Sequence, residues 1–244
     1  GEPVRALAEH HGAIYLAMVG NQGYGCAVNA AVRDLPDDIQ WVLISNPDSE
    51  IGSGAIDELV RVGESDASIG AVGPLIMTDG KVYPSARAIP SLRMGIGHAL
   101  FANLWPRNPW SRQYHSDSEP PPRERDTGWL SGSCLLVRKK AFEAIGGFDE
   151  KYFMYFEDVD LGYRLAQAGW RNRYAPSATV IHSGAHSTEG DSAEMVKAHH
   201  RSAYRFVSRK YRGWYFLPVR FSVKAALSVR ALLVTRVFTH REKR

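Results

Sequence analysis

The sequence predicts an α/β fold in which a parallel or mixed sheet is covered by helices. Short apolar runs at residues 13–19 (AIYLAMV) and 41–45 (WVLIS) have the length and composition of buried strands. Helical patterns follow these runs, so strand and helix alternate along the chain. The 244 residues, 44% of them hydrophobic and 23% charged, suit one large domain with a real core, or a domain with an appendage.

The remaining elements follow in chain order. Residues 25–33 predict a helix, and residues 53–62 predict a second helix with Ile56, Leu59 and Val60 on one face. Residues 68–77 predict a strand that ends in the turn Thr78-Asp79-Gly80. Beyond a long loop, the pattern predicts a strand at 129–137, helices at 139–145 and 158–168, a strand at 174–182 and a helix at 192–211. The loop spans residues 84–127, and its stretch 94–106 (MGIGHALFANLWP) carries no charge, which suits an interfacial or core segment.

Cysteine content bears on the cellular compartment. Cys26 and Cys134 lie far apart without a CxxC pair, so a disulfide framework or a zinc site is not expected and a reducing cytoplasm fits best. The opening GEPVRALAEHH shows no signal-peptide pattern.

Positive charge is concentrated at the end of the chain. Residues 201–244 hold twelve Lys or Arg and one acid, a balance of +11, so the net charge of +4 leaves −7 for residues 1–200. On a helix, Arg220, Lys224 and Arg230 fall within a sector of roughly 120°, and Arg236 falls outside it. A basic amphipathic helix of this kind favours an anionic membrane surface, the alternative being a helix packed on the domain with its charges in water. Nucleic acid is not expected, because no nucleic-acid-binding motif is present.

Three carboxylates follow an aromatic run, which suggests acid–base chemistry. Glu157, Asp158 and Asp160 come directly after the sequence YFMYF, where apolar surroundings would raise the pKa of a carboxyl group toward neutrality. The alternative is that these acids only stabilise the start of the helix at 158–168. Capping alone does not account for three acids behind five aromatic or Met residues.

Polar residues at strand ends form a second candidate group. Asn46-Pro47-Asp48 directly follows WVLIS, and His182 ends the strand at 174–182. An Asp at such a place can hold Mg²⁺ or Mn²⁺, although Asp after Pro is also common in plain turns. A lone His at a strand end is more often structural, and His186 is a competing candidate.

Several segments together resemble inverting glycosyltransferases of the GT-A (Rossmann-like) fold, family 2. The resemblance rests on the segments NQGYG, TDGKVYPSAR, NLWPRNPW, GWLSGSCLLVR, GGFDEKYFMYFEDVDLG and AHST, and on AHH before the basic tail. It implies that Asp158 is the base that deprotonates the acceptor hydroxyl and that Glu157 orients it. It further implies an Mg²⁺ or Mn²⁺ ion held by Asp48 and His182. The family carries a DxD or similar motif at residues 46–48, and here the first acid is replaced by Asn46.

The resemblance also assigns the two substrate sides. On the donor side it implies contacts from Asn21, Gly23, Asn29, Asn46 and Asp48, and on the acceptor side from Trp129, Ser131 and Gly132. It is closest to the actinobacterial rhamnosyltransferases of cell-wall linker synthesis. These move L-rhamnose from dTDP-rhamnose to N-acetylglucosamine on polyprenyl diphosphate, at the cytoplasmic face of the membrane. Rival interpretations are a galactofuranosyltransferase acting on a lipid-linked acceptor, or a non-catalytic scaffold protein that retains the fold; a glycosidase ranks low.

The resemblance implies two parts of the chain. Residues 1–200 would form the GT-A domain, and residues 201–244 would form the membrane-associating helical tail. Family members begin with a strand and an Asp-Asn-x-Ser element that holds the nucleobase. This chain starts after them, so the first strand of the sheet is expected to be missing.

Overall fold

The computed structural model describes residues 2–91, 122–183 and 192–241. The helices are α1 (Glu2–His10), α2 (Tyr24–Arg33), α3 (Ala55–Glu64), α4 (Lys139–Ala144), α5 (Glu157–Gln167), α6 (Ser192–Lys210) and α7 (Leu217–Arg241), the last preceded by a 3-10 turn (Trp214–Phe216). The strands are β1 (Trp41–Ser45), β2 (Ser49–Ile51), β3 (Ile69–Thr78), β4 (Lys81–Tyr83), β5 (Ala86–Arg87), β6 (Arg125–Thr127), β7 (Trp129–Leu130), β8 (Cys134–Arg138) and β9 (Arg171–His182).

The described residues form a seven-stranded mixed sheet, as the sequence predicts. Its strand order is β1-β8-β3-β9-β2, with β4 paired to β3 and β6 paired to β9. Only the β3–β9 pair is parallel within this described part, and the other pairs are antiparallel. Because β1 and β3 are both antiparallel to β8, the carboxyl ends of β1, β3 and β9 meet at one edge. Strands β5 and β7 form a separate two-stranded sheet.

Helices cover both faces of the sheet. On one face, Phe142 of α4 and Leu165 of α5 pack with Val137 of β8. On the other face, Leu59 of α3 packs with Leu136 of β8. Val137 and Leu136 point to opposite faces because side chains alternate along a strand. All five residues are at most 3% exposed, so the sheet is buried between two helical layers.

Two of the strand predictions are wrong. Residues 13–19 form no strand, and Ile14 is 97% exposed. An extended segment needs a hydrogen-bonded neighbour, and no described strand pairs with this one. The strand predicted over 129–137 is interrupted at residues 131–133, where the Ser131 hydroxyl accepts a hydrogen bond from the Ser133 backbone N–H. This interruption lets the loop contact other elements.

The C-terminal helices form, although the tail helix is not clearly amphipathic. Helix α6 runs without a break through residue 200, and its Phe206 is buried against Phe156 and Tyr163. Projected around the axis of α7, apolar and charged residues are hardly segregated. In the described part of the chain, no helix has the length and apolar character needed to cross a membrane.

Candidate active site

The predicted metal-binding residues converge at the edge where β1 and β9 end. Strand β2 pairs with the end of β9 so that Ser49 lies opposite His182, which brings Asp48 alongside the imidazole. The His182 Nε2 atom lies 3.2 Å from Asp48 Oδ1 and 3.3 Å from Asn46 Nδ2. The His182 side chain is 17% exposed and the Asp48 side chain is 35% exposed, so both remain accessible. The structure thus brings together Asn46, Asp48 and His182.

This donor set fits a divalent cation that shares its coordination with a ligand. Two ligands at about 2.1 Å from an octahedral ion lie about 3 Å apart when they are adjacent, close to the observed oxygen–nitrogen distance. Within the described ranges, no group of three or more His, Cys, Asp or Glu side chains is positioned to hold a metal. Mg²⁺ commonly takes only one or two protein carboxylates and completes its shell with water and phosphate oxygens. Asp48 and His182 therefore suit an ion held jointly with a diphosphate.

The acidic pair lies at the start of α5, against the loop at residues 131–133. The backbone N–H of Gly132 donates to Asp158 Oδ2 at 3.1 Å, and that of Val159 donates to Oδ1 at 2.8 Å. The Tyr24 hydroxyl donates to the Gly132 carbonyl at 2.7 Å. These contacts fix the orientation of the Asp158 carboxylate, whose oxygens can still accept further hydrogen bonds.

One short loop connects the two groups of polar residues. The backbone N–H of Asn46 donates to the Ser133 carbonyl at 2.8 Å, and the Ser49 hydroxyl donates to the same carbonyl at 3.3 Å. The preceding residue, Gly132, holds Asp158. Residues 131–133 therefore connect the Asp48–His182 edge with the acidic pair, and the sequence alone could not show this.

The start of α5 is held in a strained backbone conformation. Tyr155 and Phe156 both have positive φ angles, 65° and 66°, a region that side-chain-bearing residues rarely adopt. Such residues persist only where packing holds them, and they concentrate at functional sites. Here the rings of both residues contact the His199 ring of α6, with centroids 5.5 and 5.4 Å away. Helix α6 thus supports the turn that presents Glu157 and Asp158.

Burial raises the pKa of both acids in the pair. The pKa of Glu157 rises to about 7, first because the carboxyl group is buried and second because Asp158 is charged. One Glu157 oxygen, Oε2, is buried without a hydrogen-bond partner among the described residues. Burial also raises the pKa of Asp158, partly offset by its hydrogen bonds to the backbone and by Arg87. The pKa of Glu157 therefore suits proton exchange near neutral pH, and the pKa of Asp158 lies above its ordinary value.

Asp160 belongs to a different network. Its carboxylate is fully buried and accepts hydrogen bonds from Arg164 Nε at 2.6 Å and from the Tyr152 hydroxyl at 3.3 Å. Arg209 Nε of α6 lies 2.8 Å from the same carboxylate. The Arg209 guanidinium also pairs with Asp149. Asp160 thus joins α5 to α6 through Arg209, and in the described contacts its carboxylate holds no backbone group.

The predicted donor-side residues Asn21 and Gly23 lie in the loop before α2, and Asn29 lies within α2. Asn21 accepts a hydrogen bond from the Gly23 backbone N–H at 3.1 Å, which closes a local turn. Gly23 has φ 97°, and a Cβ there would lie 2.5 Å from the Phe153 carbonyl oxygen, so only glycine fits. Asn29 donates to the Phe148 carbonyl at 2.9 Å and accepts from the Phe148 N–H at 2.9 Å. In the described contacts, its amide holds this turn and does not join the Asp48–His182 edge.

The predicted acceptor-side residues lie around β7. Trp129 pairs across the small sheet with Arg87 of β5, and the Trp129 indole N–H donates to the Ala88 carbonyl at 3.2 Å. Ser131 is 8% exposed, and its hydroxyl lies 3.0 Å from the Ser133 hydroxyl. The Arg87 guanidinium lies over the Trp129 ring. Sequence reasoning did not single out Tyr24 or Arg87, although both lie inside quoted segments, NQGYG and TDGKVYPSAR.

Several parts of the chain considered from the sequence fall outside the described residues. These are the uncharged segment 94–106, the segments NLWPRNPW and AHST, and the alternative metal ligand His186.

Comparison with known proteins identifies the family. Residues 4–205 match the family described as glycosyltransferase-like family 2. The chain is 45% identical over 254 aligned positions to the N-acetylglucosaminyl-diphospho-decaprenol L-rhamnosyltransferase of Mycobacterium tuberculosis, covering 100% of this chain and 82% of that protein. It is 27% identical to the rhamnosyltransferase WbbL of Escherichia coli, covering 85% of this chain and 78% of that protein.

Solved structures confirm the fold. The chain resembles GalNAc-T7 bound to UDP, GalNAc and Mn²⁺, with a TM-score of 0.55 and 13% identity, over 93% of this chain and 45% of that one. It equally resembles the mannosyltransferase PcManGT of Pyrobaculum calidifontis with GDP-Man and Mn²⁺, with a TM-score of 0.55 and 16% identity. That match covers 97% of this chain and 62% of the other, so this chain spans less than two thirds of either solved chain. The predicted GT-A architecture is thus confirmed, and the chain belongs to glycosyltransferase family 2.

Proposed function

We propose that this chain transfers L-rhamnose from dTDP-L-rhamnose to N-acetylglucosamine carried on a polyprenyl diphosphate, with inversion at the anomeric carbon. The 45% identity with the M. tuberculosis rhamnosyltransferase, across the whole chain, supports the acceptor and the sugar. The observation that carries the proposal is the loop at residues 131–133. It contacts Asn46 on one side and Asp158 on the other, as a site that must bring a donor to an acceptor requires.

On the donor side, Asp48 and His182 are proposed to hold Mg²⁺ or Mn²⁺ against the donor diphosphate. The ion supplies charge neutralisation for the diphosphate that leaves the sugar. Asn46, with its amide beside His182, is proposed to donate to the diphosphate or to orient the imidazole. Asn21 and Gly23 are proposed to shape the loop that faces the nucleotide. Asn29 is proposed to support that side through the Phe148 turn.

On the acceptor side, Asp158 is proposed to act as the general base. Its carboxylate takes the proton of the acceptor hydroxyl while that oxygen bonds to the anomeric carbon. The bond from this carbon to the diphosphate breaks at the same time, and dTDP departs with the electron pair. The backbone N–H groups of Gly132 and Val159 hold the carboxylate in place for this attack. Trp129 and Ser131 are proposed to line the acceptor sugar, and Glu157 is proposed to orient it.

Because the proposed acceptor is lipid-linked, the C-terminal tail is proposed to bind the membrane that holds it. Trp214 is 80% exposed and Phe221 is 74% exposed, and Arg212 and Lys224 are exposed near them. Exposed aromatic rings among basic side chains are typical of surfaces that bind the headgroup region of an anionic membrane. We therefore propose that the protein works at the cytoplasmic face of the cell membrane, held peripherally by this tail.

The decisive experiment offers the protein a set of sugar nucleotides with one synthetic acceptor. The acceptor is N-acetylglucosaminyl diphosphate on a short prenyl chain, with Mn²⁺ or Mg²⁺ present, and mass spectrometry detects the product. The proposal predicts a product enlarged by one deoxyhexose from dTDP-rhamnose only. Transfer from UDP-galactofuranose would establish the rival transferase, and no transfer from any donor would favour the scaffold interpretation.

A further inference from the structure

The segment TDGKVYPSAR ends in an arginine that none of the proposed roles uses. Arg87 lies on β5 and pairs with Trp129 of β7, the strand that leads into Ser131 and Gly132. Its backbone carbonyl accepts hydrogen bonds from the Gly128 N–H at 3.0 Å and the Thr127 hydroxyl at 2.9 Å. The backbone position of this arginine beside the acceptor side is therefore well fixed.

The guanidinium of Arg87 is held between aromatic rings and lacks an anion. Its Cζ atom lies 5.7 Å from the centroid of the Trp129 ring and 5.8 Å from that of Tyr83. The Nε–H donates to the Pro84 carbonyl at 2.7 Å, which orients the planar group. In the part of the chain that the structure describes, no carboxylate pairs with it and its two terminal nitrogens have no hydrogen-bond acceptor. They can therefore bind a ligand.

Most comparable arginines of the domain are paired. Ion pairs with carboxylates are formed by Arg138, Arg164, Arg171, Arg173, Arg205 and Arg209. Arg87 is partly buried and its terminal nitrogens lack a carboxylate in the described contacts, so an anionic ligand at this place would be favoured. Arginine is also the residue whose fork of N–H groups best matches a phosphate.

The charge of Arg87 reaches the acidic pair. It counteracts the rise in the pKa of Asp158 that burial causes, so the guanidinium and the carboxylate lie within electrostatic reach. An acceptor whose hydroxyl meets Asp158 would then place its own diphosphate near Arg87. The donor diphosphate belongs at Asp48 and His182, which lie with Asn46 at the other side of the loop at residues 131–133.

We infer that Arg87, stacked with Tyr83 and Trp129, binds the diphosphate of the acceptor and so selects a sugar on a phosphate carrier over a neutral glycoside. This inference rests on the proposed function and names the part of the acceptor that the site recognises. The aromatic rings would hold the plane of the guanidinium in one orientation toward the phosphate. They would also offer an apolar surface to the sugar.

The test compares two acceptors that differ only in charge. One is N-acetylglucosaminyl diphosphate on a short prenyl chain, and the other is the neutral N-acetylglucosaminide of the same chain. Binding to each is measured by calorimetry, and kcat/KM is measured with the donor that the wild type uses. The variants are Arg87→Gln, Arg87→Lys and Lys81→Gln. The last removes one positive charge from the exposed strand β4, near but outside the site.

The inference predicts that the wild type binds the diphosphate acceptor more tightly by about 10–100-fold, the worth of a charge-assisted phosphate contact. Arg87→Gln should lose most of this preference and leave binding of the neutral acceptor within about 3-fold. Arg87→Lys should keep part of the preference, and Lys81→Gln should keep all of it. Donor affinity should be unchanged in every variant.

Three results would overturn the inference. One is an equal loss for both acceptors in Arg87→Gln, since this would show a role in structure alone. Another is weaker binding of dTDP in that variant, which would place the donor diphosphate at Arg87. The third is an unchanged preference. Failure of the proposed function is distinguishable, because acceptor binding that depends on Arg87 without any rhamnose transfer would refute the donor and leave the diphosphate contact standing.

Discussion

His182 Nε2 lies 3.2 Å from Asp48 Oδ1 because strand register brings together two residues that are distant in sequence. Ser49 lies opposite His182 in the β2–β9 pair, and the Ser183 N–H donates to the Asp48 carbonyl at 3.2 Å. A short strand next to the end of β9 therefore sets the separation of the two side chains. Neither side chain has to rearrange far to meet a shared cation.

From this relationship we expect Asp48→Asn and His182→Ala each to weaken Mn²⁺ binding in the presence of dTDP by at least about 10-fold, because each removes one of the two proposed protein ligands. Paramagnetic resonance of free Mn²⁺ measures the affinity. Glu50→Gln serves as the control, since it changes an exposed carboxylate of β2 two positions from Asp48. Unchanged binding in both site variants would remove the ion from this edge.

Asp158→Asn should lower turnover by about 10²–10⁴, the usual contribution of a general base, and should leave dTDP binding nearly unchanged. One of the two backbone N–H groups at Asp158 loses its acceptor in this variant, so a stability loss of about 1 kcal/mol is also expected. Thermal unfolding separates the two effects. Near-normal turnover would exclude Asp158 as the base and direct attention to the unpartnered oxygen of Glu157.

The raised pKa of Glu157 predicts that the folded protein becomes less stable as pH rises. Its pKa of about 7 in the folded protein exceeds the ordinary 4.5, because the carboxyl group is buried and Asp158 is near. Between these values the folded state binds more protons than the unfolded chain, so the free energy of unfolding falls as pH rises through this window. Glu157→Gln removes the ionisation. It should therefore raise the free energy of unfolding at pH 8 by on the order of 1–3 kcal/mol, and by much less at pH 5.

Urea denaturation at pH 5 and pH 8 measures this difference, with Glu58→Gln as the control. A hydrogen bond from Arg61 lowers the pKa of Glu58 to about 2, so this group stays ionised at both pH values and its replacement should have the same effect at each. A stability gain in Glu157→Gln that is equal at both pH values would contradict the prediction, because it would show that the side chain is costly for reasons other than its charge.

Local composition was enough to predict the elements that depend on burial. The strand at 41–45 matches β1 at both ends, because five apolar or small residues fill both faces of a covered strand. The equally apolar run 13–19 forms no strand, because its neighbours and not its composition decide whether it pairs. Periodicity cannot supply this information about neighbours.

The proximity of the acidic pair was predictable because one chain segment carries both residues. Glu157 and Asp158 are adjacent in sequence, and an aromatic run marks them. Two other features depend on strand pairing and helix packing across the fold. They are the contact of Gly132 with Asp158 and the position of Arg87 beside Trp129. Asn29 matches a motif of the sequence, yet in the described contacts its amide bonds to the Phe148 backbone and to the Glu150 side chain.

Asp160→Asn should destabilise the protein by about 3–5 kcal/mol, because it leaves Arg164 and Arg209 beside a neutral group in a buried place. The loss should uncouple α5 from α6 and lower the melting temperature before it affects donor affinity. Glu194→Gln, which removes an exposed i,i+3 pair with Lys197, should leave the melting temperature nearly unchanged. An equal effect of both variants would mean that the buried network adds no more than a surface pair.

The exposed aromatic rings and basic side chains between Arg212 and Lys224 lead to the last prediction, which concerns membrane binding. Trp214, Tyr215 and Phe221 are exposed by 80%, 64% and 74%, which is costly for large apolar rings unless another phase covers them. Arg212 and Lys224 are exposed on the same part of the chain. Each basic side chain near an anionic surface adds about 1 kcal/mol, and aromatic rings anchor at the headgroup level. The rings and the charges should therefore act together on one surface.

We expect the double variant Trp214→Ser, Phe221→Ser to lose most binding to anionic liposomes at constant charge, and the double variant Arg212→Gln, Lys224→Gln to lose salt-sensitive binding with the rings intact. Removal of residues 214–244 should abolish binding while Phe206 keeps α6 packed on the domain. Sedimentation with vesicles of increasing anionic lipid content measures the partition. Val4→Ser, an exposed apolar residue of α1, is the control. If the truncated protein still sediments with anionic vesicles, the membrane contact lies outside the tail, and the uncharged segment 94–106 becomes the next part of the chain to test.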